Sequence, residues 1–296
     1  MTREQAYQYG VRKLENAGIE ESKLDAWYIL EYVAKISRAD YFSDSQRELA
    51  QEQELLYFLY IEKRAQRIPL QHITGEQEFM GLSFFVNESV LIPRQDTETL
   101  VECALDLLKR QMSEKGKMPI TPVRILDMCT GSGCILLSIL YYMKEYAPQS
   151  EIEGTGADIS GEALQVAQEN EKRLGLEAVW LLGDLFSKIE GRYQMIVVNP
   201  PYVRTAVLEE LQEEVRYHDP RIALDGKEDG LYFYRRIVIE CREHLEKGGH
   251  LLMEIGYDQA EEVSALMQAA GFSQVKVKKD LAGLDRVVAG VYDRCA

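Results

Sequence analysis

Residues 123–135, VRILDMCTGSGCI, combine an apolar strand, a glycine turn and the first turn of a helix. The strand ends near Asp127, and Gly131 and Gly133 form the turn. Glycines at such a turn let a ligand approach the backbone closely, and the helix N-terminus points free N–H groups at it. The dinucleotide pattern GxGxxG lacks its third glycine here, which disfavours a dehydrogenase. The stretch therefore predicts a ligand-binding loop of another kind, or else a tight turn between strand and helix without a ligand.

Apolar strand-like runs alternate with amphipathic helices on both sides of this loop. Such alternation predicts a parallel, doubly wound α/β sheet. The last two apolar runs, VKVKKD and VVAGVY, have no helix between them and are expected to form an antiparallel hairpin. The five predicted strands before this hairpin are VRILDM, IEGTGADI, AVWLLGDL, YQMIVVNPPY and HLLMEIG. The predicted helices span residues 98–112, 134–146, 161–174, 229–247 and 258–270.

The first part of the chain has a different pattern, because it shows only helical periodicity. Thr2 and Gln5 have the spacing of a capping box, and further helices are predicted near residues 24–36 and 45–67. These features predict a small all-α bundle at residues 1–73. A β-hairpin with a turn at Met80-Gly81 then links it to the α/β domain, and the two together span residues 74–296.

Composition limits the classes of partner. The 296 residues include 34 Lys and Arg and 49 Asp and Glu, which gives a formal net charge of −15. A protein that binds nucleic acid needs cationic surface, so a protein or small-molecule substrate is favoured. The five cysteines are scattered, no metal-ligand spacing occurs, and no signal core or membrane-length apolar run is present. We therefore expect a cytoplasmic protein with reduced thiols at Cys103, Cys129, Cys134, Cys241 and Cys295, and no metal.

The second chemical signal is Asn199-Pro200-Pro201-Tyr202 at the end of a predicted strand. Ligands of open α/β sheets bind beyond the carboxyl ends of the strands. The two prolines fix the backbone, so the Asn199 side-chain oxygen and the Pro200 carbonyl can accept from one NH₂ group while Tyr202 offers a flat face. Two such acceptors would align a planar nitrogen and stabilise the positive charge that grows on it. The tetrapeptide therefore predicts a site that binds and activates the planar nitrogen of an amide or amino group.

The loop at residues 127–133 resembles the D/E-x-G-x-G-x-G loop of class I methyltransferases, with Cys129 in place of the first glycine. The resemblance implies S-adenosylmethionine as the cofactor, held by Asp127, Cys129, Thr130, Gly131, Ser132 and Gly133. Asp158 would bind the ribose hydroxyls. Asp184 would contact the adenine amino group or simply cap a helix, and Leu185 or Phe186 would pack on adenine or belong to the core.

The chain as a whole resembles the release-factor glutamine methyltransferases, the PrmC/HemK family. The resemblance implies a seven-stranded class I methyltransferase fold and methylation of the Gly-Gly-Gln glutamine of peptide chain release factors. In that family Thr97, Glu98 and Phe79 would lie near the methionine end of the cofactor, although Thr97 and Glu98 could also just cap a helix. Gln95 replaces a usual proline. The matching segments are PLQHITG (69–75), EFMG (78–81), FVN (85–87), LIPRQDTE (91–98), EVRY (214–217), Pro220, AL (223–224), Gly226 and DGL (229–231).

Two alternatives use the same motifs differently. A nucleic-acid amino methyltransferase shares the planar NH₂ chemistry, but the charge of −15 and the lack of a basic or aromatic recognition segment disfavour it. A non-catalytic scaffold that docks on translation factors would have no need for the acceptors of Asn199-Pro200-Pro201-Tyr202. We therefore expect a monomeric enzyme that binds release factors, without direct contact to nucleic acid or membrane.

Overall fold

A computed structural model describes residues 1–114 and 122–293. Its described residues form two compact units. The N-terminal unit comprises Met1–Glu76 together with Gln212–His218, and the sheet unit comprises the rest of the described chain. No helix within the described ranges is both long enough and apolar enough to cross a membrane.

The N-terminal unit is helical, as the sequence predicts. Thr2 and Gln5 form the predicted capping box at its first helix. The predicted helix at residues 45–67 begins only at Gln51, because the Leu49 N–H donates to the Met1 carbonyl and Glu48 forms a bridge with Thr2. The helices are α1 (Arg3–Asn16), α2 (Ser22–Ala34), α3 (Arg38–Ser43), α4 (Gln51–Ala65), α5 (Leu70–Thr74) and, from the later segment, α9 (Glu213–His218).

Close helix packing and buried ion pairs hold the N-terminal unit together. Gly10 of α1 lies so close to α4 that an added Cβ would meet the Tyr57 hydroxyl at 2.2 Å and the Ile61 side chain at 2.9 Å. Arg64 of α4 donates to Asp25 at 2.6 Å and to Glu214 of α9 at 3.2 Å. The ion pairs therefore hold a segment from far along the chain within this unit.

The sheet unit contains the predicted doubly wound sheet, with strand order β5-β4-β3-β6-β7-β9-β8. The first five of these strands in that order are parallel, and β9 is antiparallel to both β7 and β8, as the sequence predicts. The strands are β3 (Val123–Met128), β4 (Ile152–Asp158), β5 (Val179–Leu182), β6 (Tyr193–Val198), β7 (Leu245–Glu254), β8 (Phe272–Lys279) and β9 (Asp285–Tyr292).

Helices and a hairpin cover this sheet. The hairpin strands β1 (Glu76–Phe79) and β2 (Leu82–Phe85) meet at the predicted Met80-Gly81 turn, where both residues have positive φ. Helices α7 and α8 have the predicted bounds. The helices are α6 (Gln95–Glu114), α7 (Cys134–Tyr146), α8 (Gly161–Leu174), α10 (Arg221–Leu224), α11 (Tyr232–Glu240) and α12 (Ala260–Ala269).

The predicted boundary between the fourth helix of the α/β domain and β7 is also wrong. The helix predicted at residues 229–247 ends at Glu240, a short 3₁₀ turn follows, and β7 begins at Leu245 rather than at His250. Leu245 is fully buried, and the His244 carbonyl accepts from the Tyr193 backbone. Core burial and a strand hydrogen bond thus override the helical pattern of this stretch.

The sheet register brings the two sequence motifs together. Met128 of β3 pairs with Val198 of β6, so the glycine loop and Asn199 leave neighbouring strands at the same level. Strand β4 lies on the other side of β3, which makes this the point where the strand order reverses. Open α/β sheets bind ligands at such a point.

Candidate active site

A cavity of about 340 Å³ lies at the carboxyl ends of the parallel strands, within the sheet unit. Its size is within the range of small-molecule sites. The loops after β3, β4, β5 and β6 all contribute to its wall. Ten of the residues singled out from the sequence line it: Thr97, Cys129, Thr130, Gly131, Ser132, Asp158, Asp184, Leu185, Asn199 and Pro201.

The two glycines of the loop, Gly131 and Gly133, have different surroundings. An added Cβ on Gly131, where φ is 54°, would meet nothing within 4 Å, so this residue keeps the cavity open. On Gly133 a Cβ would come within 3.0 Å of Trp180 and 3.1 Å of Ala167, so this glycine permits close packing behind the loop. Cys129 lines the cavity with φ of 60°, a left-handed conformation that costs a residue with a side chain about 1–2 kcal/mol.

Asp127 lies beneath the loop and does not line the cavity. One carboxylate oxygen accepts from the Thr130 hydroxyl at 2.6 Å, and the other has no partner of normal hydrogen-bond geometry among the described residues. Complete burial raises the pKa of Asp127 to about 7, although the bond from Thr130 opposes the shift. The residue therefore supports the loop from below and places a titratable carboxyl group under it.

Asp158 ends β4 and faces the cavity. One of its oxygens accepts from the Gly131 backbone and the other from the Ser160 backbone, both at 2.9 Å. A carboxylate has about four acceptor positions, so positions remain for two hydroxyl groups of a ligand. Burial raises the pKa of Asp158, and the backbone bonds oppose that effect.

Asp184 and Leu185 form the wall after β5. Asp184 occupies the N-cap position of a short 3₁₀ helix, but its side chain makes no capping bond there. Both of its oxygens instead lie 3.0 Å from Nη1 of Arg236. Leu185 lines the cavity, whereas Phe186 is buried and stacks on His244 away from it. Of the two residues considered for adenine packing, only Leu185 is placed for it.

The Asn199-Pro200-Pro201-Tyr202 segment contributes Asn199 and Pro201 to the cavity wall, whereas Pro200 is buried and Tyr202 lies behind. Asn199 Nδ2 donates to the Thr97 hydroxyl at 3.5 Å, a long bond that leaves the Asn199 side-chain oxygen free to accept. Tyr202 donates from its hydroxyl to Glu254 at 3.3 Å, and its carbonyl accepts from Gln259 at 3.2 Å. The segment is thus anchored from the side opposite the cavity.

The segment at residues 95–98 is only partly in the site. Thr97 is buried and lines the cavity. Glu98 accepts from the Met80 backbone at 2.6 Å and so holds the hairpin turn, while Phe79 packs in the core against Phe84. Neither of the latter two lines the cavity. Gln95 is the first residue of α6, a position that proline favours but other residues tolerate.

Several lining residues were not anticipated from the sequence. They include Ser89, Val90, Ile222, Tyr232, Phe233 and Arg236. Leu91, Pro93, Pro220 and Ala223 also line the cavity, and they belong to segments that carry the family resemblance. Glu254, behind the wall, was also missed, although an acidic residue that ends the apolar run of β7 is a usable signal.

The wall carries charges of both signs. Asp158 and Asp184 are carboxylates at the cavity, Arg94, Lys227 and Arg236 also line it, and Arg236 is paired with Asp184. The open space at Gly131 and the apolar side chains of the wall suit a flat, largely apolar ligand. Within residues 1–114 and 122–293, no three His, Cys, Asp or Glu residues are grouped to hold a metal ion.

Sequence profiles match both parts of the chain. The profile of the PrmC N-terminal domain matches residues 5–75. The profile of the methyltransferase small domain matches residues 100–215.

Relatives match over nearly the full length. A release factor glutamine methyltransferase of Caulobacter vibrioides is 40% identical and covers 94% of this chain and 92% of its own. One of Clostridium acetobutylicum is 39% identical and covers 90% of each. Among solved structures, the hMettl16 catalytic domain in complex with a 3′UTR hairpin has a TM-score of 0.52 at 13% identity, with 83% of this chain and 84% of that one covered. That likeness shows the fold alone.

Proposed function

Because this chain belongs to the release factor glutamine methyltransferase family, we propose that it methylates the side-chain amide nitrogen of the Gly-Gly-Gln glutamine in peptide chain release factors. S-adenosylmethionine is the methyl donor of this class of enzyme, and S-adenosylhomocysteine is the second product. The observation that best supports the proposal is that Asn199 and Pro201 line the same cavity as the glycine loop and Asp158, so that the predicted amide-binding segment and the predicted cofactor-binding residues meet in one site.

The cofactor fits the donors and acceptors of the cavity. Asp158 would accept from the ribose hydroxyls, because it is already fixed by two backbone N–H groups. Leu185 would cover the adenine ring, and Asp184, oriented by Arg236, would accept from its amino group. When bound, the cofactor supplies a methyl group activated by a sulfonium charge. The carboxyl groups around the glycine loop would stabilise that charge.

The substrate amide needs help because its nitrogen lone pair is delocalised into the carbonyl. Asn199 Oδ1 and the Pro200 carbonyl would each accept one of its two N–H groups. These bonds orient the nitrogen and stabilise the positive charge that develops as it takes the methyl group. One N–H proton then leaves the nitrogen, and because an N-protonated amide is strongly acidic, no dedicated base is required.

We also propose that the N-terminal domain, residues 1–73, binds the release factor. The net charge of −15 favours a basic partner surface, and charge complementarity chiefly raises the association rate. Binding that weakens steeply with added salt would support this; binding indifferent to salt would count against it. We further propose that the enzyme is cytoplasmic and monomeric and that it makes no direct contact with nucleic acid.

The decisive experiment follows tritiated methyl from S-adenosylmethionine into candidate acceptors. One reaction contains an unmethylated release factor, a second contains the same factor with its Gly-Gly-Gln glutamine replaced by alanine, and others contain DNA or RNA. Label on the intact factor alone would establish enzyme, substrate and site. Label on nucleic acid alone would agree with a site for a planar NH₂ group but would contradict the proposed substrate.

A further inference from the structure

The turn between β8 and β9, residues 280–284, holds two leucines in water. Leu281 is 92% exposed and Leu284 is 44% exposed. Neither residue lines the cavity, and the catalytic proposal gives neither of them a role. Two exposed leucines on one short turn form an apolar surface that a binding partner would cover favourably.

Hydrogen bonds fix the shape of this turn. The Asp280 N–H donates to the Leu284 carbonyl, and the Leu284 N–H donates to the Asp280 carboxylate, both at 2.9 Å. The Gly283 N–H donates to the Asp280 carbonyl at 3.0 Å. The Asp280 carboxylate also accepts from the buried Arg286, from Nε at 3.2 Å and from Nη2 at 3.1 Å. The turn therefore presents its leucines in fixed positions, and a partner that covers them loses little affinity to the ordering of the backbone.

The sheet places this turn at the same edge as the cavity. The Ile255 N–H donates to the Arg286 carbonyl at 2.9 Å, which extends the antiparallel ladder of β7 and β9 past the end of β7. Because β6 and β7 are parallel, the turn that leads into β9 lies at the edge where Asn199 follows β6. Arg286 also forms an ion pair with Asp96 at 3.0 Å, and Asp96 precedes Thr97 of the cavity wall. One buried arginine thus joins the turn to the start of the segment that lines the site.

The strand order puts the turn on the side of Asn199 that faces away from the cofactor residues. Those residues follow β3, β4 and β5, whereas β7, β9 and β8 lie beyond β6 in the other direction. Neighbouring strands are about 4.8 Å apart, so β9 is about 10 Å from β6. A protein interface of standard size covers roughly 800 Å² on each partner, which is a patch about 30 Å across. A folded protein that brings a glutamine to Asn199 therefore has surface within reach of the turn.

We propose that the turn at residues 280–284 is a docking contact for the protein substrate, in which Leu281 and Leu284 bind apolar surface of the release factor beside its Gly-Gly-Gln loop. The inference rests on the proposed function, because it takes the protein that carries the glutamine as the partner. The two leucines touch neither the glutamine nor the cofactor, so they contribute to affinity for the whole factor and not to the chemical step. Their contribution is apolar, and salt does not screen it.

The test measures binding and methyl transfer separately for the full-length double variant Leu281→Ser/Leu284→Ser. Unmethylated release factor is titrated into each enzyme with S-adenosylhomocysteine present, and steady-state methylation is followed on the same proteins. We expect the Kd and the KM for release factor to rise by about tenfold or more, since burial of even one leucine changes an association constant by that amount. The kcat and the Kd for S-adenosylhomocysteine should stay within about twofold. The ratio of variant to wild-type Kd should persist at high salt.

Ile239→Ser is the matched control. Ile239 is an aliphatic residue that is 57% exposed. It lies near the end of α11, which precedes β7 and so leads to the amino end of the parallel strands, away from the cavity. Its Kd and KM for release factor should equal those of the wild type. The single variant Leu281→Ser keeps Leu284 in the turn and should show part of the loss, so it carries the test if the double variant does not fold.

The outcomes separate the two proposals. A wild-type enzyme that methylates release factor, with the same Kd and KM as its leucine variants, would overturn the docking contact and leave the proposed function in place. Sedimentation that shows a wild-type dimer and monomeric leucine variants would assign the turn to a second copy of this chain and overturn the contact as well. A wild-type enzyme that binds release factor through the leucines but transfers no methyl group would contradict the proposed function alone.

Discussion

Asn170 pairs with the backbone of Phe85 as an adjacent strand would. The Phe85 N–H donates to Asn170 Oδ1 at 2.6 Å, and Asn170 Nδ2 donates to the Phe85 carbonyl at 3.0 Å. The same NH₂ group donates to the Ser132 carbonyl at 2.9 Å. One fully buried amide on α8 therefore joins the hairpin strand β2 to the glycine loop.

Asn170→Ala should destabilise the protein by about 3 kcal/mol, because two backbone groups of the half-buried Phe85 and the buried Ser132 carbonyl lose their partner at once. Urea unfolding followed by circular dichroism measures the change. Gln168→Ala, an exposed position on the same helix, should be within about 0.5 kcal/mol of the wild type. Equal stability of the two variants would show that water replaces the lost bonds at little cost.

Asn199→Ala should lower kcat by about 100-fold or more, if the lost acceptor matches one oxyanion-hole donor in size. Steady-state methyl transfer to release factor gives the rate, and calorimetric titration gives the cofactor affinity of the same sample. We expect that affinity to survive largely intact. A normal rate per bound cofactor combined with weak binding would assign Asn199 to the cofactor instead.

Asp158→Ala should have the opposite signature. Loss of two charge-assisted bonds to the ribose should weaken cofactor binding by about 10- to 100-fold. The effect on kcat at saturating cofactor should be smaller. Glu162→Ala removes a nearby exposed carboxylate outside the cavity and controls for charge. Unchanged affinity in Asp158→Ala would exclude the ribose assignment.

The free energy of unfolding should decrease as pH rises from about 4.5 to about 7. The cause is the ionisation of two buried carboxyl groups, Asp127 and Glu254, whose pKa values burial raises to about 7. Between those limits the folded protein retains protons that the unfolded chain has released, so unfolding becomes easier with increasing pH. Asp127→Asn should flatten this dependence in urea melts at several pH values. An unaltered slope would mean that Asp127 is ionised throughout.

Gly10→Ala should destabilise the N-terminal unit by about 2 kcal/mol, since the new methyl group overlaps the Tyr57 hydroxyl and forces the helices apart. Gln8→Ala, exposed on the same helix, should be nearly neutral. Thermal unfolding of the full-length variants is the measurement. A Gly10→Ala protein as stable as Gln8→Ala would show that Tyr57 moves aside freely.

The sequence predicted the elements whose signals are local. Gly131 and Gly133 fix the turn between β3 and α7, and Met80-Gly81 fixes the hairpin turn, because positive φ favours glycine. The fold class followed from the alternation of strands and helices. The start of β7 was missed, since Leu245 is drawn into the core by tertiary burial that no local pattern records.

Side-chain direction in the site was less predictable. Leu185 and Phe186 are adjacent and both apolar, yet only Leu185 reaches the cavity. Arg236 meets Asp184 from 52 residues away, and Glu254 meets Tyr202 from the same separation. Contacts between such distant positions depend on strand order and register, which a single sequence does not specify.

The ion pairs of Arg64 with Glu214, and of Arg67 with Glu213 and Glu214, have a consequence for inheritance. The N-terminal unit is discontinuous in sequence, because its helix α9 is encoded after β6 and Asn199. A single recombination event near residue 76 would therefore replace Arg64 and Arg67 with the residues of a relative but keep Glu213 and Glu214 of this chain. Exchange of the intact N-terminal unit between relatives would therefore require both gene segments to be transferred together.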